Sequence, residues 1–342
     1  MLQQVMTEPG KIEFREIAKP EIEENQVLIK MMRIGVCGSD IHVYHGKHPY
    51  TSYPVVQGHE VSGEIVETGT KVDNLSAGDK VTVLPQVVCG ECYPCQNGRY
   101  NICEELKVRG FQTTGMASEY FAVDKDKVLK VADDLSFDQI SLVEPLAVAV
   151  HALKKGENIN NRDLLVLGAG PIGNLVAQAA KGMGANEVMI TEISEYRRKI
   201  AEKCGIDYCI NPVEAEIEEE LVNNFGTKKA DKILECVGVN QTIDQAVEVA
   251  RKGTDIIVVG VFGEKPEVDL GLVQDRELRL IGTLMYKKED YEKAIELIEQ
   301  DKIKLDPLIT DHFNFRDYIK AYEYIEEQND EVMKVIVNVE QK

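Results

Sequence analysis

The chain has 342 residues, 44% of them hydrophobic, and its 39 Lys and Arg against 59 Asp and Glu leave a net charge of −20. That length and apolar content suffice for a large core and for more than one domain, while the acidic balance repels phosphate backbones and anionic lipid, so neither nucleic acid nor a membrane is an expected partner. The apolar run from Asp255 to Phe262 is only strand-length, and Met1-Leu2-Gln3-Gln4 reads as no secretion signal, so a soluble cytoplasmic protein is expected.

From the N-terminus to about residue 145 the chain is strand-rich. Short β-type runs such as Gln26–Lys30 and Lys80–Val83 alternate with Gly, Pro and Asp turns. Within this stretch Cys37 lies in Gly35-Val36-Cys37-Gly38-Ser39-Asp40-Ile41-His42, and His59 in Gly58-His59-Glu60. A thiolate, an imidazole and a carboxylate give three protein ligands and leave a fourth position open, which is what a catalytic zinc needs.

Further along, Cys89, Cys92, Cys95 and Cys103 are spaced C-x2-C-x2-C-x7-C. Two-residue gaps let tight Gly and Pro turns aim successive thiolates at one point, as tetrahedral zinc demands. Four sulfurs close the shell, so this ion is expected to fix a surface lobe rather than perform chemistry.

After Glu144-Pro145 a helical stretch runs through His151, and strand and helix then alternate, implying a parallel sheet with covering helices. Strands are expected at Leu164–Leu167, Glu187–Thr191, Lys232–Cys236 and Ile256–Gly260. The acidic run Glu214–Glu220 reads as a solvated helix with Val213, Ile217 and Leu221 on its apolar face. In the tail, helices are expected at Tyr291–Glu299 and Phe315–Glu327, and a closing strand at Val332–Val339.

The first of the parallel strands enters Gly168-Ala169-Gly170-Pro171-Ile172-Gly173, a G-x-G-x-x-G between strand and helix. Its first glycine permits the tight turn, the second a close approach to a pyrophosphate, and the third close packing of helix on sheet. The next strand ends in Glu192, where a carboxylate would accept ribose hydroxyls and repel a 2′-phosphate. NAD is therefore expected over NADP, although Arg197 nearby is an arginine that could meet a phosphate.

Gly58-His59-Glu60-x2-Gly63-x5-Gly69-x2-Val72 resembles the zinc-containing alcohol dehydrogenase signature of the medium-chain dehydrogenase/reductase superfamily. The Cys37-Gly-Ser-Asp segment, the four-cysteine lobe and the glycine-rich turn follow in that family's order, so the resemblance covers the whole chain. It implies an α/β protein: a GroES-like β-rich catalytic domain over 1–148, and a Rossmann-type doubly wound parallel sheet over 149–288. It also implies a segment 289–342 returning to the first domain, an active site in the cleft between domains, and a homodimer or homotetramer.

Where typical alcohol dehydrogenases carry a third-ligand cysteine, this chain has Glu144 in Leu142-Val143-Glu144-Pro145-Leu146. That is similar to sorbitol, polyol and sugar-acid dehydrogenases, whose zinc shell is Cys, His and Glu. In those relatives the glutamate after the histidine, here Glu60, is a second candidate ligand, and the sequence leaves the choice open. The resemblance further assigns proton transfer to Ser39 and a relay to His42. The expected activity is the reversible oxidation of a secondary alcohol of a polyol, sugar or sugar acid by NAD, with one catalytic and one structural zinc. L-Threonine 3-dehydrogenase and butanediol dehydrogenase activities are the alternatives within the class. A zinc-stabilised NAD-binding regulator is the alternative outside it.

Overall fold

The computed structural model describes residues 1–340 and divides into two compact units, Met1–Glu144 together with the chain from Ile309 onward, and Pro145–Leu308. The tail therefore rejoins the first unit at Ile309, later than residue 289. The reason lies in the Lys288–Glu299 helix, which buries Tyr291, Ala294, Leu297 and Ile298 within the second unit. Its Asp290, 1% exposed, meets His151 Nδ1 at 2.6 Å and Lys154 Nζ at 2.7 Å, and a charge so placed does not leave its partners cheaply.

The first unit is built on a seven-stranded sheet. Its long central strand, Gln26–Gly35, pairs antiparallel with Glu60–Thr68, with Tyr120–Asp124 and with the tail strand Lys334–Asn338. Val27, Leu28, Ile29, Met31 and Ile34 on that strand are essentially removed from water, so the register that sets Gly35 opposite Glu60 is held by the core.

The second unit is a six-stranded parallel sheet in the order Tyr208–Ile210, Val188–Thr191, Leu164–Leu167, Lys232–Glu235, Asp255–Val258, Arg279–Gly282. The order reverses beside Leu164–Leu167, the switch point where such sheets bind ligands outside the carboxyl ends of their strands. The fourth expected strand stops at Val258, because Val259 and Gly260 both donate their N–H groups to the Glu235 carbonyl, each at 2.9 Å. Strands Tyr208–Ile210 and Arg279–Gly282, at the two edges of the sheet, carry only half-buried or exposed residues, whereas the four between them are largely buried.

The second part of the acidic run forms a helix, Ile217–Phe225, with Ile217, Leu221 and Phe225 buried, while Glu214 and Ala215 lie in the turn before it. Val213 stands apart from it, before the helix and 77% exposed. Among the described residues no helix is long and apolar enough to cross a membrane.

Candidate active site

Cys89, Cys92, Cys95 and Cys103 place one sulfur each in a group whose ligand atoms all lie within 4.8 Å of one another. Cys92 opens the short helix Tyr93–Gln96, where Pro94 needs no amide partner, and Gly90 turns the chain at φ +80. The Cys103 sulfur lies 3.5 Å from that of Cys89 and 3.8 Å from that of Cys92. The edge of a tetrahedron with Zn–S bonds of about 2.3 Å is about 3.8 Å, so the four residues fit a zinc ion. Backbone N–H groups of Cys89, Cys92 and Glu105 donate to these sulfurs at 3.4 Å. Donors of this kind, the Glu104 amide first, bring Cys92 down to about 7, while burial and then Cys92 push Cys95 up to about 12. Without a cation the cluster resists losing all of its protons together.

The second cluster joins Cys37, His59 and Glu60, again with ligand atoms within 4.8 Å. Cys37 is the N-cap of the helix Gly38–Tyr44, and its N–H donates to Asp40 Oδ2 at 2.9 Å, which ties the cysteine to the first turn. His59 and Glu60 enter the adjacent strand. A Cβ on Gly35, the cross-strand partner of Glu60, would lie 2.3 Å from Glu60 Oε2, so only glycine leaves room for that carboxylate.

Asp40, wholly buried, organises the imidazole. Its Oδ1 lies 3.6 Å from His59 Nδ1 and accepts from Gln57 Nε2 at 3.3 Å, and Gln57 in turn accepts from the Tyr322 hydroxyl at 2.8 Å. With Nδ1 turned to Asp40, Nε2 is the ring nitrogen left for a metal. Burial opposes a charge on His59, yet Asp40, Cys37 and Glu144 together hold its pKa well above the usual imidazole value. His59 Nδ1 is buried without a hydrogen-bond partner among anionic groups. A pocket that draws positive charge this strongly, lined by thiolate, imidazole and carboxylate, fits a zinc ion.

Glu144 lies 6% exposed in the first turn of the helix Val143–Leu153, outside the 4.8 Å group, but its charge acts on both His59 and Lys334. Glu60 is held by Lys334, a residue that belongs to no motif. Ser39 is half-buried in the first turn of the Gly38–Tyr44 helix. His42 is exposed in its last turn, with its carbonyl accepting from the amides of Lys47 and His48.

In the second unit, the fully buried strand Leu164–Leu167 leads to Gly168, whose φ of +93 is a conformation that favours glycine. Gly170 caps the helix Pro171–Gly182, Pro171 and Ile172 form its half-buried first turn, and a Cβ on Gly173 would sit 1.9 Å from the Gly168 carbonyl oxygen. The helix N-terminus and turn amides make an anion site.

Glu192, 9% exposed, accepts from Ala169 N–H through Oε2 and from Ser194 N–H through Oε1, each at 3.0 Å, so it faces the turn as its position implies. Arg197 lies one turn further on, its N–H bonded to Ser194 Oγ at 3.3 Å. The Arg198 guanidinium returns to this loop and donates to the carbonyls of Glu192 and Ile193 at 2.7 Å. Glu235, wholly buried, holds the neighbouring turn by accepting from Val237 N–H, Gly238 N–H and Thr242 Oγ1. Neither Arg198 nor Glu235 belongs to a motif readable in the sequence.

Residues 23–133 match the family model of the alcohol dehydrogenase GroES-like domain, and residues 171–300 that of the zinc-binding dehydrogenases. The chain is 36% identical over 344 residues to a sorbitol dehydrogenase of Halalkalibacterium halodurans, covering 97% of this chain and 98% of that one. It is 33% identical over 324 residues to an L-threonine 3-dehydrogenase of Pyrococcus horikoshii, with 93% of each chain covered. Its fold matches, with TM-score 0.90, 27% identity and 99% of both chains covered, a solved structure from Sinorhizobium meliloti described as a zinc-binding dehydrogenase bound to NADP.

Proposed function

The chain belongs to the zinc-binding alcohol dehydrogenase family, with its GroES-like and nucleotide-binding parts, and on that premise we propose that it oxidises a secondary alcohol of a polyol, sugar or sugar acid to a ketone, reversibly, with NAD as hydride acceptor. The observation that carries this reading is the convergence of Cys37, His59 and Glu60 on one point, with a buried carboxylate, Asp40, behind the imidazole. The sorbitol dehydrogenase, alike over nearly the whole chain, supports a polyhydroxylated substrate.

Cys37 and His59 would hold the catalytic zinc, with Glu144 or Glu60 as the carboxylate ligand, and the four-cysteine lobe would hold a structural one. When bound, the catalytic ion polarises the alcohol oxygen and makes its proton easier to lose, and the nicotinamide takes the hydride. The protein's own residues do the rest. Asp40 fixes the ring of His59, Lys334 fixes the carboxylate of Glu60, Ser39 Oγ accepts the proton, and His42, exposed on the same helix, passes it to water. Gly168, Gly170 and Gly173 would hold the pyrophosphate of the dinucleotide, and Glu192 would accept its adenosine ribose hydroxyls, which favours NAD.

The test is a panel of polyols, aldonates, L-threonine and 2,3-butanediol with zinc-loaded protein, following NADH and NADPH formation. Best turnover with a polyol or aldonate and NAD is the expected result; best turnover with L-threonine would overturn the substrate class and leave the chemistry standing.

A further inference from the structure

The segment after Cys37 carries several polar aromatic residues, and most are committed elsewhere. His42 is exposed, His45 pairs with Glu326, Tyr44 packs edge-on against Tyr322 with ring centroids 5.3 Å apart, and Tyr50 is 74% exposed. His48 differs. It is half-buried, and its ring stacks on Phe111 with centroids 4.7 Å apart and planes 14° from parallel. Phe111 in turn lies against His59, centroids 4.8 Å apart, so a single phenyl ring separates His48 from the imidazole of the metal cluster.

The His48 ring is also fixed in rotation. Thr51 Oγ1 lies 2.8 Å from His48 Nδ1, so Nδ1 is occupied and Nε2 is the edge left for a ligand. Burial, with His42 and His59 close by, holds His48 below the ordinary imidazole range.

We propose that His48 is a specificity-determining residue of the alcohol site, its Nε2 hydrogen-bonding a second hydroxyl of the substrate, on a carbon next to the one oxidised. This rests on the proposed function above. An imidazole locked by Thr51 and Phe111 loses little freedom on binding, so the hydrogen bond is gained at small entropic cost. A substrate lacking that hydroxyl leaves Nε2 desolvated and unpaired, which is the arrangement by which sites reject deoxy analogues.

The experiment compares the zinc-loaded wild-type protein with His48→Phe, which keeps the stack on Phe111, and His48→Gln, which restores a hydrogen-bonding end. Each is assayed on the best polyol or aldonate and on its analogue lacking the adjacent hydroxyl, with zinc content and thermal midpoint measured alongside. Wild-type protein with isotope-labelled histidine also gives the His48 ring signal, assigned by its absence in His48→Phe. The expected result is a KM for the hydroxylated substrate raised about fivefold to tenfold in His48→Phe. The KM for the deoxy analogue, zinc content and thermal midpoint should be unchanged, His48→Gln should recover part of the loss, and the His48 signal should shift on adding substrate. Equal losses on both substrates, or loss of zinc, would assign His48 to packing and overturn the inference while the dehydrogenase reading stands. No turnover of any alcohol by wild-type protein would overturn that reading and the inference with it.

Discussion

Lys334 donates from Nζ to both carboxylate oxygens of Glu60, at 2.8 and 2.7 Å, and the two side chains are only 4% and 1% exposed. The lysine's third bond goes to the Val36 carbonyl at 3.2 Å, next to Cys37. A tail strand thus supplies the counter-charge for a carboxylate inside the candidate metal cluster.

Removing one member of such a pair strands the other in a medium that cannot solvate it. Lys334→Met is expected to destabilise the protein by about 3 to 5 kcal/mol, and the double variant Lys334→Met/Glu60→Gln to recover a large part of that. Urea midpoints of the three proteins decide it: a single variant as stable as the wild type would show that Glu60 finds solvent or another partner.

Asp40 acts through His59 rather than on substrate. Asp40→Asn removes the charge behind the imidazole while keeping its shape, and a loss of about tenfold to a hundredfold in zinc affinity or activity is expected. Competition with a chelator reads the affinity, and an unchanged value would remove Asp40 from the site's machinery.

The two clusters should separate by role. Cys103→Ser is expected to lose one zinc and lower the thermal midpoint while retaining turnover per folded molecule. Cys37→Ser should lose the other zinc and cut turnover by at least about a thousandfold, the several kcal/mol a Lewis acid supplies. Metal analysis finding one equivalent or fewer in fully active protein would contradict the assignment.

Glu192→Ser should narrow the preference for NAD over NADP by at least about tenfold, since the carboxylate no longer opposes a 2′-phosphate. Ratios of kcat/KM for the two cofactors measure this. A wild-type protein that uses both equally well would defeat it.

Asp290 links charge to pH. Burial raises its pKa, but His151 and Lys154 outweigh burial and hold it below the ordinary 3.8. A depressed carboxyl contributes stability that is present above the unfolded-state value and lost as pH falls through the folded one. Asp290→Asn should therefore cost about 3 kcal/mol at pH 7, the low end for a broken buried pair because Lys154 is 38% exposed, and the cost should shrink toward pH 3. Urea titrations at the two pH values would show it; a cost independent of pH would mean that the carboxylate's charge contributes nothing.

Local chemistry explains what was legible in the sequence. The cysteine spacing, the glycine-rich turn and the buried runs Leu164–Leu167 and Lys80–Val83 are each written in a few consecutive residues, and the structure has those strands at the same bounds. Lys334 and Gln57 were not legible because their partners are distant in sequence: Lys334 stands 274 positions from Glu60, and Gln57 265 positions from Tyr322. Asp40 lay inside a quoted motif, yet its place behind His59 depends on how the Gly38–Tyr44 helix is set against the next strand. Val213 misled because periodicity cannot tell a helix from the turn before it when the apolar spacing continues through both.

The strand Lys334–Asn338 closes the sheet that begins far earlier in the chain, and this sets an order of events during synthesis. At about 5 to 20 residues per second, the 274 positions from Glu60 to Lys334 take roughly 14 to 55 s to translate. For that interval the nascent sheet lacks an inner strand and Glu60 lacks its lysine, and the whole of Pro145–Leu308 is synthesised before Lys334 is added. The candidate metal site is therefore completed only after every residue of the second unit has been joined to the chain.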